Sequence, residues 1–127
     1  MARLHVVALD ARLPAWAEAA CAEYAKRMPK GYQVARVDSI PRKTRIVALD
    51  ERGKDLTSVQ FAELLKSETA FVVGGADGLE PEVKRSAHLL LRLSSLTLPH
   101  ALAQVVLLEQ IYRAATLLTG HPYHRGG

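Results

Sequence analysis

Short, unbroken apolar runs alternate along this chain with segments whose apolar residues recur every three or four positions, and few folds accept that pattern. Leu4-His5-Val6-Val7-Ala8-Leu9 and Ala70-Phe71-Val72-Val73 are runs of the kind a strand shows when both its faces are buried. Between them lies a helical stripe at positions 13, 16, 17, 20, 21 and 24, with Pro14 in its first turn and Pro29 beyond its end. A second stripe over 58–66 is carried by Val59, Ala62 and Leu65. Further strands are predicted over 32–40 and 45–50, with a turn over 51–54. A helix over 80–90, a strand or loop over 92–98 and a long helix over 101–118 complete the pattern. Strands alternating with helices imply an α/β fold, a three-layer sandwich around a mostly parallel sheet, in a single domain spanning 1–127.

One junction resists that reading. Only Arg42, Lys43 and Thr44 were left between the second and third strand patterns once Pro41 closes the former. A parallel crossover takes about a dozen residues. Either the two strands are antiparallel, or a loop and helix that ordinarily fill this place are absent. The second alternative is preferred, because Arg42 and Lys43 look like the start of a basic loop.

The net charge of +4, from 17 Lys and Arg against 13 Asp and Glu, favours a polyanionic partner without establishing one. The single Cys21 excludes a disulfide framework or zinc cluster and fits a reducing cytosol. The N-terminus opens into a strand pattern rather than a leader, and no apolar run approaches the ~20 residues of a membrane span. A cytoplasmic protein with no membrane partner is expected. Hydrophobic residues make up 49% of the chain, which suggests that a second subunit covers part of the surface.

Three segments carry candidate chemistry. In Val73-Gly74-Gly75-Ala76-Asp77-Gly78-Leu79 a buried strand breaks into glycines before a helix, where backbone can approach a ligand. The spacing G-G-x-x-G is neither a dinucleotide fingerprint nor a P-loop, and a tight turn explains it equally well. The third strand ends Leu49-Asp50-Glu51, where an acid can meet a ribose hydroxyl; for Glu51 a solvated turn is the plainer reading. The run Leu93-Ser94-Ser95-Leu96-Thr97-Leu98-Pro99-His100 places polar groups where a packed core has no use for them, which suggests a ligand loop.

The last helix is apolar on more of its circumference than one core face needs, and its Glu109–Arg113 pair has the i, i+4 spacing of a helix ion pair. A helix packed between the core and a partner subunit, with Arg113 near the junction, fits this pattern. The tail His121-Pro122-Tyr123-His124-Arg125 offers a stacking ring, an imidazole and a guanidinium, a set suited to RNA. Two histidines without a third ligand make a poor metal site.

Val72-Val73-Gly74-Gly75-x-x-Gly78-Leu79, Leu93-Ser94-x-x-Thr97-Leu98-Pro99-His100, Glu109-Gln110-Ile111-Tyr112-Arg113-Ala114 and His121-Pro122-Tyr123-His124-Arg125 together closely resemble the RlmH family. These are SPOUT-class methyltransferases that act on N3 of a pseudouridine in 23S ribosomal RNA. The likeness covers nearly the whole chain and departs at Arg42 to Thr44, where relatives carry a basic loop and a helix. The resemblance implies a C-terminal trefoil knot, the SPOUT or α/β-knot arrangement, and a homodimer with its active site between subunits. It implies S-adenosylmethionine as methyl donor, held by Leu49, Gly74, Gly75, Leu93, Ser94, Ser95, Leu96, Thr97 and Leu98, with no metal. The implied partner is 23S rRNA in the assembled ribosome.

N3 of pseudouridine must lose its proton to attack a methyl group, so in-line positioning and charge stabilisation matter most. His124, Tyr123, Arg125, Arg113 and His100 form the polar set for that work. His124 leads for proton handling, since an unperturbed imidazole titrates near pH ~6.5, and Arg113 and Arg125 orient RNA or stabilise the anionic base. Two other classes remain open on the residues alone: a dinucleotide-dependent oxidoreductase using the glycine turn, and an RNA-binding module without donor chemistry.

Overall fold

The computed structural model describes residues 2–9, 12–75 and 77–123. Five strands form one wholly parallel sheet in the order β2-β1-β4-β3-β5. They are β1 (Ala2–Ala8), β2 (Tyr32–Val37), β3 (Arg45–Lys54), β4 (Thr69–Val73) and β5 (Leu89–Leu91). On one face pack α1 (Ala15–Lys26), α2 (Ser58–Glu63) with a 3-10 turn at Leu64–Lys66, and α4 (His100–Thr119). The other face carries the short α3 (Pro81–Ser86). The three-layer sandwich is therefore present, with one outer layer thin.

Side chains alternate between the faces, as the pleat demands. Leu4, Val6, Val47, Phe71 and Val73 join Leu107, Leu108 and Ile111 of α4 in the main core. Val7, Ala70 and Val72 point the other way, into a small cluster with Val37, Ile40, Ile46, Leu79 and Val83. Thr57 starts α2 with a reciprocal cap, its hydroxyl accepting from Gln60 N at 3.1 Å while Gln60 Oε1 accepts from Thr57 N at 2.9 Å.

The junction that appeared too short is a parallel connection after all. β2 ends at Val37 rather than Ile40, so seven residues, 38–44, are available. The two strands are also not neighbours, since β1 and β4 lie between them. In register terms the link runs from the level of Val72 to that of Thr69, three strands over. That is about 17 Å at ordinary sheet spacings, against an extended reach of about 26 Å. Ile40 packs on the sheet where a helix ordinarily lies, and Lys43, at φ 61, turns the chain into β3.

Three boundaries move as well. The helix predicted over 80–90 stops at Ser86, and Leu89–Leu91 is the edge strand β5; residues 92–98 are loop. The turn predicted over 51–54 is the end of β3: Leu49 and Lys54 both pair with Leu91, and the residues between them bulge out of the ladder. α4 begins at His100, and by length and composition alone it is able to cross a membrane, contrary to the sequence expectation. Half of its most apolar window is buried here, against α1 and α2.

Candidate active site

A cleft of about 610 Å³ opens beyond the carboxyl ends of β3, β4 and β5, the edge at which open parallel sheets bind ligands. Three chain segments form it: Leu49–Glu51, where β3 leaves its regular ladder; the glycine turn after β4; and the loop after β5 leading into α4. Leu49, Gly74, Gly75, Leu93, Ser94, Leu96, Thr97 and Leu98 all line it, as does His100. Ser95 is exposed and lies outside the lining.

The glycine spacing now has a cause at each end. A Cβ on Gly74 would sit 2.6 Å from Gly78 C and 2.7 Å from Gly78 O, so only glycine admits the returning backbone. Gly78 adopts φ +79, a conformation that favours glycine for a different reason, and its N–H donates to Gly75 O at 3.0 Å. The loop after β5 is pinned by Arg92, whose N–H donates to Lys54 O at 2.9 Å and whose guanidinium grips Asp55 with two bonds of 2.6 Å. Ser94 Oγ accepts from Leu96 N at 2.9 Å and bends the loop, leaving Leu96 76% exposed at the cleft.

Asp50 gives the cleft an anionic group. Its carboxyl is held below the ordinary range by the Arg52 backbone N–H (3.1 Å) and by Lys84, whose Nζ lies 3.4 Å away. A fixed carboxylate beside apolar walls can accept from hydroxyls or face a cation. Lys84 escaped the sequence reading, which had no means of folding α3 back over the third strand.

The tail residues assemble elsewhere. Arg113 and Tyr123 meet on α4 around Glu109, with the Tyr123 hydroxyl donating to Glu109 Oε2 at 3.0 Å. His100 and Arg113 are thirteen residues apart on one helix, about 20 Å along its axis. One chain therefore does not bring Arg113 and Tyr123 to the cleft that His100 lines. His124 and Arg125 lie outside the described residues. Thr116, one turn beyond Arg113, is buried, and its hydroxyl donates to Arg113 O at 2.7 Å.

The sequence model of the family described as "Predicted SPOUT methyltransferase" matches residues 32–124, most of the chain and all three walls of the cleft. The chain belongs to the SPOUT methyltransferase family. Within the family it is similar to ribosomal RNA large subunit methyltransferase H of Janthinobacterium sp. (strain Marseille), with 42% identity over 154 positions covering 97% of this chain and 99% of that protein. The protein of the same name from Cupriavidus metallidurans is 43% identical over 157 positions, with the same coverage. With 154 aligned positions against 127 residues, at least 27 positions of the first alignment have no counterpart here. Solved structures share the fold. A probable methylase family protein from Haemophilus influenzae superposes with a TM-score of 0.59 at 15% identity, over 95% of this chain and 68% of that one. The SpoU methyltransferase AviRb from Streptomyces viridochromogenes, solved with AdoMet, gives 0.54 at 13%, over 94% of this chain and 61% of its own.

Proposed function

We propose that this SPOUT methyltransferase uses S-adenosylmethionine to methylate N3 of a pseudouridine in a stem-loop of 23S ribosomal RNA. It acts on the assembled ribosome, as a cytoplasmic homodimer. The observation that carries the reading is the convergence of Leu49, Gly74, Gly75 and the 93–98 loop on one cleft. The chain around that cleft is more than 40% identical to large subunit methyltransferase H proteins. A volume of about 610 Å³ suits a donor of this size. S-adenosylmethionine, when bound, supplies an electrophilic methyl group.

The chain's own residues then have separate tasks. The loop and glycine turn hold the donor through backbone and apolar contacts, and ionised Asp50 accepts from its hydroxyls. Arg113 and Arg125 hold the RNA, His124 takes the N3 proton, and His100 borders the transfer site. The 20 Å between His100 and Arg113 favours a dimer, in which the tail of one protomer serves the cleft of its partner. The partly exposed stripe of Leu102, Val106, Gln110 and Arg113 on α4 suits that contact. A trefoil knot is part of the same reading.

The test is methyl transfer from labelled S-adenosylmethionine to intact ribosomes lacking the modification, with nucleoside mass spectrometry of the product. N3-methylpseudouridine is the expected product. Calorimetric binding of NADH without S-adenosylmethionine would overturn the reading in favour of an oxidoreductase. Ribosome binding without donor binding would reduce the protein to an RNA-binding module.

A further inference from the structure

Glu109 gathers more donors than a helix ion pair supplies. Its Oε2 accepts from Arg113 Nε at 3.1 Å, from Arg113 Nη2 at 2.9 Å and from the Tyr123 hydroxyl at 3.0 Å. Its Oε1 accepts from Gln110 Nε2 at 2.6 Å. The Glu109 side chain is 19% exposed, and a carboxylate so covered is costly unless its lone pairs are filled.

The chain has to turn back to make this contact. Gly120, at φ 77, ends α4 in the left-handed conformation, and His121 N donates to Thr116 O at 2.9 Å. Tyr123 thus returns along the helix to a residue fourteen positions earlier. Its ring meets Tyr112 edge-on at 4.7 Å, and the Arg113 guanidinium lies 5.1 Å from the ring centroid.

We infer that Glu109 is a positioning residue: one carboxylate clamps Arg113 and Tyr123 together and so fixes the path from the end of α4 to Tyr123. The effect on methyl transfer rests on the proposed function; the clamp itself does not. Glu109 is nine residues from His100, about 14 Å along α4, so it acts through Arg113 and Tyr123 rather than on the donor. The Tyr123 phenol is pushed up to about 12, first by burial and then by its bond to the Glu109 carboxylate. It stays protonated at neutral pH and serves as an anchor, which leaves the proton at N3 to another group.

Two measurements on the full chain test the clamp, using Glu109→Gln, Glu109→Ala and Tyr123→Phe. NMR of ring-labelled tyrosine from about pH 8 to about pH 11 should show the Tyr123 resonance still protonated at the top of that range, above the ordinary phenol value near ~10. Tyr123→Phe should remove that resonance, and Glu109→Gln should lower its titration part of the way toward the ordinary range, since burial remains. In methyl transfer to ribosomes, Glu109→Ala should lower kcat about tenfold or more at saturating donor, with donor Kd within about twofold of the parent. Glu109→Gln keeps the shape and one acceptor, so it should lose less. Tyrosine titration unaffected by Glu109→Gln overturns the clamp. Unchanged kcat, or a kcat loss matched by lost donor affinity, overturns its positioning role. If the parent itself transfers no methyl group, the proposed reaction fails, and the NMR result alone decides whether the clamp exists.

Discussion

Replacing Gly53 by alanine perturbs the fold through contact alone, because no left-handed backbone angle is involved. A Cβ there would lie 2.7 Å from Leu90 C and Leu91 C and 2.8 Å from Leu90 O, all backbone atoms that no rotamer change can move. Carbon atoms pack at roughly 3.5–4.0 Å, so the crossing of β3 and β5 must open by about 1 Å. Overpacking of this kind costs about 1–3 kcal/mol. The 2.9 Å bond from Arg92 N to Lys54 O beside the crossing adds about 0.5–1.5 kcal/mol if lost. A loss of about 2–4 kcal/mol is a large share of a stability of about 5–15 kcal/mol, and it lowers Tm by roughly 8–16 °C. Since β5 runs directly into the 93–98 loop, S-adenosylmethionine affinity should fall with it. Thermal melts and donor calorimetry read both effects. Gly31→Ala is the contrasting control: nothing lies within 4 Å of its Cβ, but φ is +97, so it should cost about 1–2 kcal/mol in strain and leave donor affinity unchanged. If Gly53→Ala melts within about 2 °C of the parent, the crossing is looser than the 2.7 Å contacts require and the reasoning fails.

Gly74→Ala, with its Cβ 2.6 Å from Gly78 C, should abolish measurable donor binding by calorimetry while β4 and the core persist by circular dichroism. Asp50 is held below its ordinary pKa, so its stabilisation is present above about pH 4 and is lost as pH falls below that value. Asp50→Asn should therefore show a shallower loss of stability on acidification than the parent in urea melts taken from about pH 6 down to about pH 2. Gln104 is 1% exposed, and its Nε2 has no partner among the described residues. Gln104→Met should raise stability by about 1 kcal/mol, read as a Tm increase of about 3–6 °C.

The strands buried on both faces were legible because β1 and β4 are short apolar runs rich in β-branched residues, bounded by polar or glycine positions rather than continued at helical spacing. β5 was not: Leu89, Leu90 and Leu91 follow a helical pattern without a break in hydropathy, and three leucines carry no period of their own. Gly53 was read as a turn residue, since sequence shows that a glycine is present but not whether a left-handed angle or a close crossing requires it. The cleft-lining residues were nameable from motifs, whereas Lys84 beside Asp50 depends on how α3 folds back over the sheet. Glu109 was read as half of a local ion pair. The third member, Tyr123, reaches it only because Gly120 reverses the chain, a long-range consequence that an i, i+4 rule cannot express.

The seven-residue link between β2 and β3 makes this sheet indifferent to what is placed there. Every register in the sheet is set by strand-to-strand ladders that the link does not join, and its reach exceeds its span by about 9 Å. Ile40 contributes a single side chain to the thin outer layer. A helix-sized insertion between Ile40 and Thr44 can therefore leave the sheet from the surface and return to it, with both ends held where they are now. Shortening is the opposite case: removing three residues leaves about 16 Å of chain for about 17 Å of span. The topology therefore tolerates a longer link here freely, but a link only three residues shorter would no longer reach.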